Sequence, residues 1–209
     1  MSAAILIVDD EPALNELFVI GLNKFGYSTE GVLGGRECLD LLKTAYQPDL
    51  ILLDMMMEPM DGWETLTHIK ADLQARFIPV VMQTGKNLTY KEAEKFSFYI
   101  EDYIMKPITP KRCVDFIQEI LDKRKEQIEF IEKVKATGCS ADQLERMINL
   151  HRAIDVSQRL MRLLDDRYGK AGSSESASDE TYGPEEFQEF RDRINSEFFS
   201  LQKKIGLTF

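Results

Sequence analysis

A doubly wound α/β domain with a five-stranded parallel sheet, followed by an all-α helical module, is the fold class the sequence predicts. Three observations predict it. Short apolar runs alternate with helical patterns at close spacing over residues 1–109, as in parallel βαβ units. Two of the runs, "AILIV" and "LILLD", are apolar nearly throughout, as strands covered on both faces are. Beyond residue 109 the strand signals stop and three long helical stretches follow.

The elements follow in order. "AAILIVD" (3–9) is a buried strand rich in β-branched residues. Pro12 suits a first helical turn. From there Leu14, Leu17, Phe18, Gly21, Leu22 and Phe25 recur at helical spacing until Gly26 stops the helix. "YSTEGVL" is a weaker strand and "GGRECLDLLKTAY" a second helix. "DLILLD" (49–54), "IPVVMQT" (78–84) and "DYIMKP" (102–107) supply the remaining strands. "DGWETLTHIKADL" (61–73) and "NLTYKEAEKF" (87–96) supply the helices between them.

The second part divides into helices over 110–136, 140–168 and 184–206, so the expected domains are 1–122 and 123–209. In the first helix Val114, Ile117, Leu121, Ile128 and Ile131 make a stripe, widened by Phe116, Ile120, Phe130 and Val134. In the second, Met147, Ile154, Met161 and Tyr168 recur every seven residues, joined by Leu150 and Leu164. In the third, Phe187, Phe190, Ile194, Phe198, Leu201 and Ile205 form an apolar face. A polar Gly/Ser/acid segment (169–183) separates the last two and is expected to be a mobile loop.

Composition narrows the function classes. The chain has 209 residues and a net charge of −10. Residues 1–121 hold 11 Lys/Arg against 19 Asp/Glu, and residues 122–209 hold 15 against 17. Neither part is basic, so nucleic acid is not the expected partner. Three scattered cysteines without C-x-x-C spacing point to a reducing compartment, hence the cytoplasm, and exclude a disulfide scaffold or zinc site. No apolar stretch is long enough to span a membrane and no secretory leader is visible.

Ligands of open α/β sheets bind outside the carboxyl ends of the strands. Those ends carry Asp9-Asp10-Glu11, Asp54, Thr84-Gly85 and Lys106-Pro107. Three converging aspartates resist ionising together. A divalent cation with oxygen ligands, such as Mg2+, removes the conflict. The lysine and the hydroxyl are then donors for an anion such as a phosphoryl group carried on a carboxylate.

This constellation resembles the response-regulator receiver domain of two-component signalling. The acidic pair, the lone Asp followed by "MDG", the Thr-small pair and Tyr-x-x-Lys-Pro occur in register, with Asp10 to Asp54, Asp54 to Thr84 and Thr84 to Lys106 spaced 44, 30 and 22 residues apart. The resemblance covers about residues 1–122 and implies a flavodoxin-like sheet of order 2-1-3-4-5. It implies that Asp54 accepts a phosphoryl group from a sensor histidine kinase or phosphotransfer protein. It further implies that Asp9, Asp10, Asp54 and the backbone carbonyl of Met56 hold Mg2+. Lys106 and Thr84 would contact the phosphoryl oxygens, Gly85 would leave room for them, and Tyr103 would turn inward as Thr84 moves. A cis peptide bond before Pro107 is implied as well. Such a protein assists its own phosphorylation and dephosphorylation but is not otherwise an enzyme.

Two stretches depart from the family. Glu58-Pro59 moves a proline by one position, and "FSFYIED" is more apolar than is usual before the last strand. Phe98, Tyr99 and Ile100 there imply a partner surface or packing against the C-terminal helices. Plainer roles compete elsewhere: Asp10 or Asp61 as helix caps, Met55 to Met57 as filling rather than soft-metal ligands, His68 as a surface residue and His151 as a structural histidine. The C-terminal helices leave a homodimeric coiled coil, a packed bundle and an effector platform open. The expected function is phosphorylation-switched protein contacts. A constitutive scaffold is the alternative, and a DNA-binding regulator the less favoured one.

Overall fold

The computed structural model describes residues 2–168 and 182–207. Most of the segment expected to be a mobile loop (169–181) lies outside the described residues. Five strands, β1 (Ala4–Val8), β2 (Ser28–Val32), β3 (Leu50–Asp54), β4 (Val80–Thr84) and β5 (Asp102–Met105), form one sheet of order β2-β1-β3-β4-β5. Every pairing is parallel, and the order is the expected one. The helices are α1 (Pro12–Lys24), α2 (Gly35–Leu42), α3 (Gly62–Ala71), α4 (Tyr90–Phe96), α5 (Pro110–Ala136), α6 (Ala141–Tyr168) and α7 (Pro184–Lys204).

The strands form where the apolar runs predict them. β3 and β4 are buried at every position, which accounts for the lack of alternation in "LILLD" and "VVMQT". β2 lies at the edge beside β1 only, and no residue of it is fully buried. α1 starts at Pro12 and ends before Gly26, whose φ of 91° lies in the region that glycine alone enters freely. The buried face of α1 is narrower than its apolar pattern. Asn15, Phe18 and Leu22 are buried, while Leu17 and Phe25 are exposed. Asn15 tolerates burial because its side-chain amide donates to the carbonyls of Val32 (2.8 Å) and Asp9 (3.3 Å). α3 is capped by Asp61, which accepts the Glu64 N–H at 2.7 Å. α4 begins with a reciprocal cap between Thr89 and Glu92.

The chain divides into two compact units. One comprises Met1–Asn87 and Tyr99–Ile120; the other comprises Leu88–Phe98 and Leu121–Phe209. The division inside α5 falls between Ile120 and Leu121. The segment around α4, expected within the first domain, groups instead with the C-terminal helices. The cause is aromatic. Tyr90 meets Phe187 at 6.0 Å between ring centroids, Phe98 meets Phe190 edge-on at 6.0 Å, and Glu94 pairs with Arg193 at 3.0 Å. Of the two roles open to the apolar stretch around Phe98, packing against a C-terminal helix is what Phe98 does.

Within the second unit Phe130 of α5 stacks on His151 of α6 at 4.1 Å and lies 6.2 Å from Phe198 of α7. The seam of α6 differs from the expected seven-residue repeat. Met147, Leu150, Ala153, Ser157, Leu160 and Leu164 are buried at three- and four-residue steps, whereas Ile154 and Met161 are only half-buried. On α5 Ile117, Ile120, Phe130 and Val134 are buried, but Ile128 is exposed. The face of α7 is buried at Phe187, Phe190, Ile194 and Phe198; Leu201 and Ile205, expected on the same face, are only half-buried.

Candidate functional site

Because all five strands are parallel, their carboxyl ends lie along one edge of the sheet. Register then decides which polar groups meet. Val8 lies beside Leu53, so Asp9 and Asp54 leave adjacent strands at the same level. Thr84 pairs with Met105, which sets Thr84 one residue from the level of Lys106.

Lys106 occupies the centre of the acidic group. Its ammonium donates to Asp9 Oδ2 at 2.7 Å and to Asp54 Oδ2 at 2.7 Å. Asp9 and Asp54 are 2% and 7% exposed, so neither carboxylate has bulk water as its main partner. Their other oxygens accept backbone N–H groups: Asp9 from Glu11 at 3.0 Å and Asp54 from Met56 at 3.2 Å. Asp10 is exposed and does not cap α1; its carboxylate accepts the Glu58 N–H at 3.2 Å. Ligating oxygens of Asp9, Asp10 and Asp54 lie within 4.8 Å of one another.

The electrostatics follow. Burial lifts the Asp54 carboxyl above its ordinary range, and the neighbouring Asp9 adds to the rise; the Lys106 ammonium and the Met56 N–H pull the other way without cancelling it. Burial alone would push Lys106 down, but the hydrogen bonds and charges of Asp54 and Asp9 outweigh it and hold the ammonium above its ordinary value. Three carboxylates around one ammonium leave two negative charges, which a divalent cation balances. All ligating atoms offered are oxygens, the set that suits Mg2+ rather than a softer metal. The residues present therefore fit that ion.

The remaining expected residues lie around this group. Thr84 is fully buried, and its hydroxyl accepts the Lys86 N–H at 3.0 Å. Tyr103 is buried, and its hydroxyl donates to the Lys86 carbonyl at 2.9 Å. At Gly85 a side-chain carbon would meet no atom within 4 Å, so the space above it is open. The side chain of Met56 is exposed while Met55 and Met57 are buried. Lys106–Pro107 and Glu58–Pro59 are both cis peptide bonds.

Two supporting residues had no assigned role from the sequence. Gly62 opens α3 directly against β3. A β-carbon there would collide with the Asp54 carbonyl oxygen and stand 2.7 Å from Met55 Cα, so only glycine lets α3 approach the acceptor strand this closely. Its N–H donates to the Met55 carbonyl at 3.0 Å. Asn15 ties α1 to the Asp9 carbonyl. The signal for it was a polar residue inside an apolar helical face. His68 is exposed, 4.0 Å from Glu64. His151 is half-buried against Phe130 and remote from the acidic group in sequence; burial pushes its imidazole down, against the pull of Asp155.

Similarity to known proteins agrees with this geometry. A family profile described as response regulator receiver domain matches residues 5–118. The chain is 32% identical over 127 residues to the DNA-binding response regulator MtrA of Mycolicibacterium smegmatis, covering 61% of this chain and 54% of that one. It is 28% identical over 189 residues to the probable transcriptional regulator ycf27 of Cyanidium caldarium, covering 86% and 74%. The chain thus spans about half the length of MtrA. The expectation of no nucleic-acid partner gains no support from relatives with such names. Among solved structures, the chemotaxis response regulator CheY4 of Vibrio cholerae aligns with a TM-score of 0.53 and 26% identity, over 57% of this chain and 99% of that one. The chain belongs to the response regulator receiver family of two-component signalling, with its receiver domain over residues 5–118.

Proposed function

We propose that this protein is a Mg2+-dependent phospho-acceptor whose phosphorylation on Asp54 switches protein contacts made by its helices. The observation that carries the reading is Lys106, whose ammonium bridges Asp9 and Asp54 at 2.7 Å each, with Asp10 beside them. Asp54 Oδ attacks the phosphorus of a phosphohistidine on a sensor kinase or phosphotransfer protein. The P–N bond breaks as the O–P bond of an aspartyl phosphate forms, and the freed imidazole takes up a proton. Lys106 pairs with the phosphoryl oxygens and holds them in line. The Thr84 hydroxyl donates to one of them, and Gly85 leaves the space. Asp9, Asp10, Asp54 and the Met56 carbonyl would hold Mg2+, which would supply charge neutralisation for the transferring group. The protein has no other turnover of its own.

A cytoplasmic setting goes with this reading. The three cysteines are free, and among the described residues no helix is long and apolar enough to cross a membrane. A second reading, a DNA-binding output, is favoured by the length of the match to ycf27, which extends well past the receiver. The acidic balance of residues 122–209 weighs against it. Incubation with a small-molecule phosphodonor and Mg2+ is expected to label the wild-type chain and leave Asp54→Asn unlabelled. Undiminished labelling of the variant overturns the assignment. Salt-sensitive retention of the phosphorylated chain on duplex DNA selects the second output.

A further inference from the structure

The buried residues of α1 are Asn15, Phe18 and Leu22, and only the first is polar. We propose that Asn15 is a positioning residue of the cation site. It fixes the peptide that joins Asp9 to Asp10 and so sets the preference of the site for Mg2+ over larger cations. The proposal rests on the Mg2+ reading above and adds the residue that tunes it.

One side chain holds the backbone of Asp9. The Asn15 amide nitrogen has two hydrogens to donate. One goes to the Val32 carbonyl at 2.8 Å and the other to the Asp9 carbonyl at 3.3 Å. The Asp9 N–H donates to the same Val32 carbonyl at 3.2 Å. These groups close a ring around Asp9, and it is shielded from water: Asn15 is 5% exposed and Asp9 2%. The Asp9 carbonyl lies beyond the ladder, since β1 ends at Val8 and β2 at Val32. A side chain takes over where strand pairing stops.

Glycine at position 31 makes the seat for that side chain. A β-carbon on Gly31 would collide with Asn15 Oδ1 and stand 2.9 Å from Val19 Cγ2. Gly31 has no positive φ, so what glycine provides there is room for Asn15 rather than an unusual backbone conformation.

The ring fixes a peptide plane. The peptide between Asp9 and Asp10 is planar, so a held Asp9 carbonyl also sets the direction in which Asp10 leaves the strand. That peptide joins two of the three carboxylates whose oxygens converge. Asp9 has further anchors, the Glu11 N–H on Oδ1 at 3.0 Å and Lys106 on Oδ2 at 2.7 Å. Asp10 is exposed, and its carboxylate accepts only the Glu58 N–H, at 3.2 Å, among the described residues. Asp10 therefore depends most on the direction its backbone is given. Mg2+ demands near-ideal octahedral oxygens at about 2.0–2.1 Å, whereas Ca2+ accepts about six to eight at about 2.3–2.6 Å in flexible geometry. A loosened Asp9–Asp10 peptide costs Mg2+ binding more than Ca2+ binding. Groups that orient metal ligands contribute about 10–100-fold in affinity.

Calorimetric titration of the full chain with Mg2+ alone and with Ca2+ alone tests this. Asn15→Leu keeps the volume and removes both donors. It is expected to weaken Mg2+ binding by about tenfold, the lower end of that range, and Ca2+ binding by less than about twofold. Gly31→Ala leaves every donor in the chain but displaces the Asn15 amide from the β2 side. It is expected to shift the Mg2+ to Ca2+ ratio in the same direction, and it carries the test if Asn15→Leu is unfolded in chelator. A merely structural role lowers both affinities by one factor, so equal losses of Mg2+ and Ca2+ binding in a folded variant overturn the proposal. Unchanged Mg2+ binding in both variants overturns it too and leaves the Mg2+ reading standing. A wild-type chain that binds no Mg2+ overturns that reading and the proposal together.

Discussion

Replacing Lys106 by methionine removes the ammonium and keeps most of the side chain's volume. Two charge-assisted hydrogen bonds of 2.7 Å disappear, to carboxylates whose side chains are 3% and 9% exposed. Each such bond contributes about 1.5–3 kcal/mol. Stripping one partner from a fully buried ion pair costs about 3–5 kcal/mol, because the other charge stays desolvated. The Lys106 side chain is 18% exposed, so some water reaches the group and the lower end applies: about 3 kcal/mol. Urea unfolding at pH 7.5 in chelator is expected to show that deficit as a lower midpoint at unchanged slope. The pH dependence carries a sign. Burial already raises the Asp54 carboxyl, and loss of the ammonium raises it further. A carboxyl raised in the fold binds its proton more tightly there than in the unfolded chain. Stability of the variant therefore increases as pH falls from neutrality towards that raised value, and the deficit narrows. A deficit below about 1 kcal/mol at pH 7.5, the size of an exposed pair, or one that widens on acidification, refutes the reasoning.

Three further outcomes are expected. Gly62→Ala places a β-carbon against the Asp54 carbonyl and is expected to cost about 2–3 kcal/mol, read by chemical denaturation, since the obstacle is backbone and cannot swing away. Asp54→Asn in chelator removes a carboxylate that burial makes costly to ionise. Its melting temperature is expected to exceed that of the wild type at pH 7.5, with the advantage fading as pH falls and the wild-type carboxyl takes up its proton. His151, stacked on Phe130, has its imidazole pushed below the ordinary 6.5, so the fold disfavours the protonated ring. The wild type is expected to lose stability as pH drops from about 6.5 through the lowered value, and His151→Phe to remove that loss in parallel thermal scans.

The sheet and the acidic group were legible because both depend on local patterns. An uninterrupted run such as "LILLD" has nowhere to lie but inside a parallel sheet, and the residue that follows a strand occupies its tip by chain geometry alone. Asp9, Asp10, Asp54, Thr84 and Lys106 could be placed by counting. What the pattern does not contain is the choice of partner. The apolar stretch at Phe98, Tyr99 and Ile100 says that something covers it, not that Phe190 meets Phe98 or that Phe187 meets Tyr90, about a hundred residues away. The seam of α6 was misplaced for a related reason. A seven-residue repeat through Met147, Ile154 and Met161 is one of several apolar lines on that helix; packing buries Met147, Leu150 and Leu164 as expected, but takes Ala153 and Leu160 in place of Ile154 and Met161. Gly62 was legible only as the residue after a cap. Its closeness to the Asp54 carbonyl is a distance between two elements, and no spacing along the chain encodes it. Glu58 was visible as a departure in the acceptor loop, but its backbone N–H on Asp10 was not.

The central claim is that one carboxylate, Asp54, takes up the phosphoryl group. Borohydride reduction after incubation with a small-molecule phosphodonor converts an aspartyl phosphate to homoserine, which peptide mass spectrometry locates by residue. Homoserine at position 54, dependent on both donor and Mg2+ and lost in Lys106→Met, is the predicted result. Homoserine at Asp9 or Asp10, or none anywhere in a chain that binds Mg2+, would contradict the account.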